Sequence, residues 1–100
     1  MSEVSSSIFD LGSEKIKLKY PIIVVISKEE CYEDEEEFVA SWPEVEAVGL
    51  GLTEADAIND LKDEIVELYE ELSNMSDDSL GKLPKRWKRA LNAAIEKIDG

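Results

Sequence analysis

The chain has 100 residues, with 24 Asp and Glu against 11 Lys and Arg, a formal charge of −13, and no histidine. That length supports one domain with one core, and that charge argues against the whole surface gripping a phosphate backbone, which needs clustered cations. With no imidazole, histidine-based acid–base chemistry and ligation are excluded for this chain, and the single cysteine, Cys31, can form neither an internal disulfide nor a Cys-rich zinc site.

Taken in chain order, Met1 to Ser7 has neither the basic region nor the apolar core of a signal peptide. Ser7 to Phe9 is expected to form a short strand, and Asp10-Leu11-Gly12-Ser13 a turn in which Gly12 is free to take positive φ. A longer strand is expected over residues 15–26. Ile16, Leu18 and Tyr20 alternate there with Lys15, Lys17 and Lys19, the period of a half-wet strand. Pro21 removes a donor and so belongs at an edge or bulge. The aliphatic run Ile22 to Ile26 reads as buried, and it is far short of the ~20 apolar residues that span a bilayer. Residues 28–37 read as an acidic loop, Phe38 to Trp42 as a strand stopped by Pro43, and residues 44–52 as holding a fourth strand near Gly49 and Gly51.

Thr53-Glu54-Ala55-Asp56 matches a capping box. Ala57, Ile58, Leu61, Ile65, Leu68 or Tyr69, and Leu72 then recur at helical spacing, with Asp60, Asp63, Glu64, Glu67, Glu70 and Glu71 on the other face. A helix is expected over about residues 53–73. After a polar loop, Pro84 suits a first helical turn. Trp87, Leu91, Ala94, Ile95 and Ile98 form a second stripe, predicting a helix over about residues 84–98. The fold class is therefore α+β: a three- or four-stranded antiparallel sheet packed by one main helix, plus a C-terminal helix. The single domain has its core at about residues 15–73.

Charge divides along the chain. Residues 1–28 carry +1, residues 29–78 carry −18, and residues 79–100 carry +4. The run Glu33-Asp34-Glu35-Glu36-Glu37 lacks the glycine and alternating acids of a calcium loop, so it reads as a solvated loop. Gly49-Leu50-Gly51 has no third glycine at dinucleotide-binding spacing, and its expected role is to deliver a strand into the Thr53 cap. Neither Cys31 nor Ser5, Ser6 and Ser7 has an imidazole to activate it. No catalytic residue, cofactor or metal is expected. Lys82, Lys85, Arg86, Lys88 and Arg89 read as a patch that neutralises nearby acids, with phosphate contact as the alternative.

Three segments occur in a telling order. Tyr20-Pro21-Ile22-Ile23-Val24-Val25-Ile26 leads into the acidic loop, Phe38-Val39-Ala40-Ser41-Trp42-Pro43-Glu44-Val45 follows, and Gly51-Leu52-Thr53-Glu54-Ala55-Asp56-Ala57-Ile58-Asn59-Asp60-Leu61-Lys62 opens the helix. Together they resemble the HicB-like antitoxin family across about residues 20–72. Gly51, Thr53, Asp56, Ala57 and Lys62 fall where that family has a glycine, threonine, acid, alanine and lysine. The resemblance implies a partial ribonuclease-H-like fold without nuclease activity. It also implies a protein that binds and neutralises a small, basic, RNA-cleaving toxin of the HicA-like kind. Leu52 replaces the usual aspartate of the turn, Trp42 precedes the proline where a cysteine is more common, and one helix follows in place of a DNA-binding module. The chain thus looks like a short, stand-alone member, and direct DNA binding is not expected.

The expected partner-binding residues are Glu35, Glu36, Glu37, Trp42, Glu44 and Glu46, together with the acidic helix face. The alternative is a regulator contacting nucleic acid through Lys85, Arg86, Lys88 and Arg89; a magnesium-dependent nuclease ranks last. A homo-oligomer is expected, through Ser7 to Phe9 or through Trp87 and its stripe, in a cytoplasmic setting.

Overall fold

The computed structural model describes residues 3–30 and 36–98; Cys31, Glu33, Asp34 and Glu35 lie outside the described residues. In chain order the elements are β1 (Glu3–Ile8), β2 (Ile16–Leu18), β3 (Ile22–Glu30), β4 (Glu36–Trp42), β5 (Ala47–Gly51), α1 (Glu54–Ser73), α2 (Lys82–Ala94) and β6 (Ile95–Lys97). The architecture is α+β. A four-stranded antiparallel sheet of order β1-β3-β4-β5 packs against α1, and β2 pairs with β6 in a separate two-stranded ladder.

Local chemistry accounts for most of the path. Gly12 takes φ 72°, and its N–H donates to Asp10 Oδ1 at 2.9 Å, closing the turn after β1. Exposed Pro21 stands between β2 and β3, so the expected strand over 15–26 is two strands in two different sheets. Without an N–H, Pro21 cannot continue a ladder. The expected acidic loop is shorter than residues 28–37, because Lys28 to Glu30 pair with Glu36 to Phe38. Backbone pairing there outweighs the like-charge opposition of Glu29 to Glu37.

Directly opposed residues of an antiparallel pair share a face. Ile8, Ile22, Val24, Ile26, Ala40, Trp42 and Ala47 all point inward and are buried. On α1, Ala57, Leu61, Ile65, Tyr69 and Leu72 meet them, spaced for one side of a helix. The Thr53 hydroxyl accepts from Asp56 N at 3.0 Å, which caps the helix. Thr53→Ala should lower stability by about 1 kcal/mol, read as a shifted urea midpoint at constant slope. Gly49 is buried against α1, where a Cβ would collide with Leu61 N and Ala57 O. A Cβ on Gly51 would lie 2.5 Å from Ala57 N. The Gly-Leu-Gly spacing thus puts two glycines on the inner face, where the backbones of β5 and α1 approach closely.

The C-terminal helix differs from expectation. It starts at Lys82 and ends at Ala94, and Ile95 turns to φ −122° and ψ 141° to enter β6. Opposite it, Ile16, Lys17 and Leu18 pair with Lys97, Glu96 and Ile95. Lys17 Nζ meets Glu96 Oε1 at 3.1 Å across this ladder. Ile95 is buried there, whereas Ile98 is exposed. β-branched Ile95 suits a strand at least as well as a helix, and long-range pairing with β2 decides the outcome. Leu91 and Ala94 are buried, and half-buried Trp87 packs on the same core.

Candidate partner-binding surfaces

β4 separates the expected contact residues. Glu36 and Glu37 begin it, and Glu44 and Glu46 lie on the 3-10 turn just past its other end, more than about 20 Å along the strand at ~3.3 Å per residue. At the first pole, Glu36 Oε1 meets Lys28 Nζ at 2.8 Å. A shallow cleft of about 210 Å³ there is lined by Val4, Ile26, Ser27, Lys28, Phe38 and Glu54, so the start of α1 adjoins this pole. At the second pole, the Pro43–Val45 turn packs against α2, and Glu46 closes it with φ 54° and an N–H donated to Pro43 O. Glu44 and Glu46 are exposed there.

Trp42 requires a correction. It is only 3% exposed, faces inward and pairs with Ala47, so it belongs to the core and offers no surface anchor. Its indole fills the space beside the small Ala40 and Ala47, which are themselves buried. Glu35 lies outside the described residues.

The densest charge sits on α1. At 100° per residue, Asp56, Asp60, Asp63, Glu64, Glu67, Glu70 and Glu71 fall within an arc of about 120°. They extend over roughly 23 Å of helix at 1.5 Å per residue. All seven are exposed, and none has an ion-pair partner among the described residues. Asp60 also serves the fold. Its Oδ2 accepts from Leu50 N at 2.9 Å, satisfying a donor on the edge strand β5.

The bases of α2 form a second surface, of opposite charge. Lys82, Lys85, Arg86, Lys88 and Arg89 share the helix with no acid, and its N-cap Gly81 supplies no side-chain cap. Lys85, Lys88, Arg89 and Asn92 line a shallow cleft of about 280 Å³. Lys88 Nζ donates to Met75 O at 2.9 Å, and Lys19 Nζ to Asn92 O at 3.0 Å. Lys85, Arg86 and Arg89 have no ion-pair partner among the described residues, so the expected neutralisation of nearby acids by direct pairing is not found for them.

A third surface does not follow from the sequence reading. Among the described residues, no element covers the outward face of the four-stranded sheet. Its rows are Ser7 and Ile23; then Ser5, Val25, Ser41 and Val48; then Glu3, Ser27, Val39 and Leu50. Ile23 is 65%, Val48 46% and Leu50 50% exposed. Of the two oligomer contacts expected, Ser7 and Phe9 are exposed, whereas Trp87 is largely engaged with its own core.

Among the described residues no group of three or more Cys, Asp or Glu is arranged to hold a metal ion, and no helix is long and apolar enough to cross a membrane. Comparison with protein-family models, curated proteins and solved structures returned no match.

Proposed function

We propose that this chain is a non-catalytic, cytoplasmic interaction protein of the HicB-like antitoxin kind, which binds a small basic RNA-cleaving toxin through the acidic face of α1. The observation that carries this reading is the unpaired carboxylate stripe. Asp56 and Asp60, Asp60 and Glu64, Asp63 and Glu67, and Glu67 and Glu71 are each four residues apart. Like charges at that spacing weaken a helix by about 0.2–0.5 kcal/mol per pair. An uncovered surface that lowers its own stability is relieved by a cationic partner. Complementary fields also raise association rates by about 10- to 1000-fold at low salt. The antiparallel sheet followed directly by a packed helix accords with the family resemblance over residues 20–72, and self-association belongs to the same reading.

The test is capture with the tagged full chain from native lysate at about 50 mM salt, where screening is slight. The expected result is a stoichiometric small basic protein that elutes as salt rises. Its RNA cleavage should stop when the chain is added back. Capture of no such protein, or a captured protein without ribonuclease activity, contradicts the reading.

One observation favours a second reading. α2 concentrates five bases near its N-terminus, where the helix dipole is itself positive. An anionic partner such as RNA would offset that repulsion. A mobility shift with pooled oligonucleotides at about 50 mM salt, lost steeply as salt rises, supports it; no shift removes it.

A further inference from the structure

We propose that the uncovered outer face of the sheet is an interface that closes on a second copy of this chain, sheet against sheet, with strands antiparallel across a two-fold axis. A sheet with helices on one side only leaves its other face to water or to a partner. Water suits a polar face, but here the centre consists of Ile23, Val25, Val39, Val48 and Leu50 interleaved with serines. In a chain of charge −13, the two rows Ser7–Ile23 and Ser5–Val25–Ser41–Val48 hold no charged residue.

Charge selects the occupant. A basic or acidic partner finds no complement at the centre of this face, whereas an identical face, uncharged at its centre, complements itself there, as a two-fold interface requires. Glu3, Glu29 and Glu37 mark one end of the outer face, at the pole of the β3–β4 hairpin. Antiparallel stacking sends the two acidic poles to opposite ends of the pair. It also leaves both α1 helices on the outside, open to partners.

Size fits a weak dimer. Four strands at ~4.8 Å spacing and about 20 Å of strand length give a flat area of about 400 Å² per copy. With side-chain relief, two copies bury on the order of 1,000 Å², near the lower limit of specific interfaces. The molecule is thin for its mass, with extents of 46 × 31 × 18 Å. Its accessible surface of 6822 Å² is about a fifth above the scaling for a compact monomer of 11.2 kDa.

Association of two −13 chains through a neutral face must strengthen as salt screens their repulsion. This is the opposite of the salt dependence of a basic partner on α1. Sedimentation equilibrium of the full chain at about 50 and about 500 mM salt reads it directly. The expected result is a monomer–dimer equilibrium whose association constant rises at least about tenfold at high salt. The double variant Ile23→Lys and Leu50→Lys should be monomeric at both salts, with Val48→Lys alone giving a partial loss. Both sites of the double variant are exposed, so folding should survive, as circular dichroism and thermal unfolding will report. The added lysines lower the net negative charge, so a lost dimer is not attributable to greater overall repulsion. A wild-type chain that stays monomeric at high salt, a dimer that survives the lysines, or association that weakens with salt overturns the proposal. None of these outcomes bears on capture of a basic partner by α1.

Discussion

Gly49→Ala is expected to destabilise the protein by about 3 kcal/mol, at the upper end of overpacking costs. The added methyl meets the backbone of α1 at Leu61 N and Ala57 O, and backbone cannot rotate away as a side chain can. Relief requires α1 to lift from β5, which uncovers Ala57 and Leu61, both fully buried. For a domain whose total stability is about 5–15 kcal/mol, that is a large fraction. Gly12→Ala is the control. Nothing lies within 4 Å of its Cβ position, and only the φ of 72° is unfavourable, which costs about 1–2 kcal/mol. Urea unfolding of the three proteins should rank wild type, Gly12→Ala and Gly49→Ala in falling order. Equal effects of the two substitutions would show that the β5–α1 approach is not tight.

Trp42→Ala should cost about 3–5 kcal/mol, the range for removing a buried large aromatic. Trp42 lies at the end of β4, between Ala47 and the turn on which α2 packs, so its removal leaves a cavity where the sheet meets the C-terminal helix. Trp87→Ala should cost less, since Trp87 is only half-buried. Guanidinium titration of both variants checks the ranking. A Trp42→Ala loss below about 1 kcal/mol, the scale of a surface change, would place Trp42 outside the core.

The regular elements were legible where local chemistry decides them. Thr53 with Asp56, and the 57-61-65-72 stripe, specify α1 without reference to the rest of the chain. Gly12 specifies the turn after β1 in the same way. Pro21 gave notice of an interruption, but the separation of β2 from β3 depends on β6, near the other end of the chain. No short-range pattern carries that pairing. The same pairing removes Ile95 from the helix, although Leu91, Ile95 and Ile98 have helical spacing. Trp42 before Pro43 fits either a core residue or an exposed anchor, and the register that pairs it with Ala47 on the inner face of the sheet makes it core.

The surfaces were legible in part. The acids of α1 and the bases of α2 were plain from the sequence, but that no ion pair joins the two sets among the described residues depends on how the helices pack. Ser5 and Ser7 opposite Val25 and Ile23 carried a signal of an uncovered face, as did Val48 and Leu50 flanking Gly49. It was masked because alternation of aliphatic and small residues also describes a buried strand. The resulting molecule has an acidic helix face, a basic helix face and a neutral sheet face, each suited to a different class of contact.

The most direct test of the acidic face of α1 as the binding surface is side-by-side capture. The wild-type chain is compared with a variant carrying Asp63→Asn, Glu64→Gln, Glu67→Gln and Glu71→Gln, from the same lysate at about 50 mM salt. Removing like-charge neighbours should leave the variant folded and a few tenths of a kcal/mol more stable for each pair relieved. It should nonetheless lose the small basic ribonuclease that the wild-type chain retains. Equal capture of that protein by both chains would contradict the account.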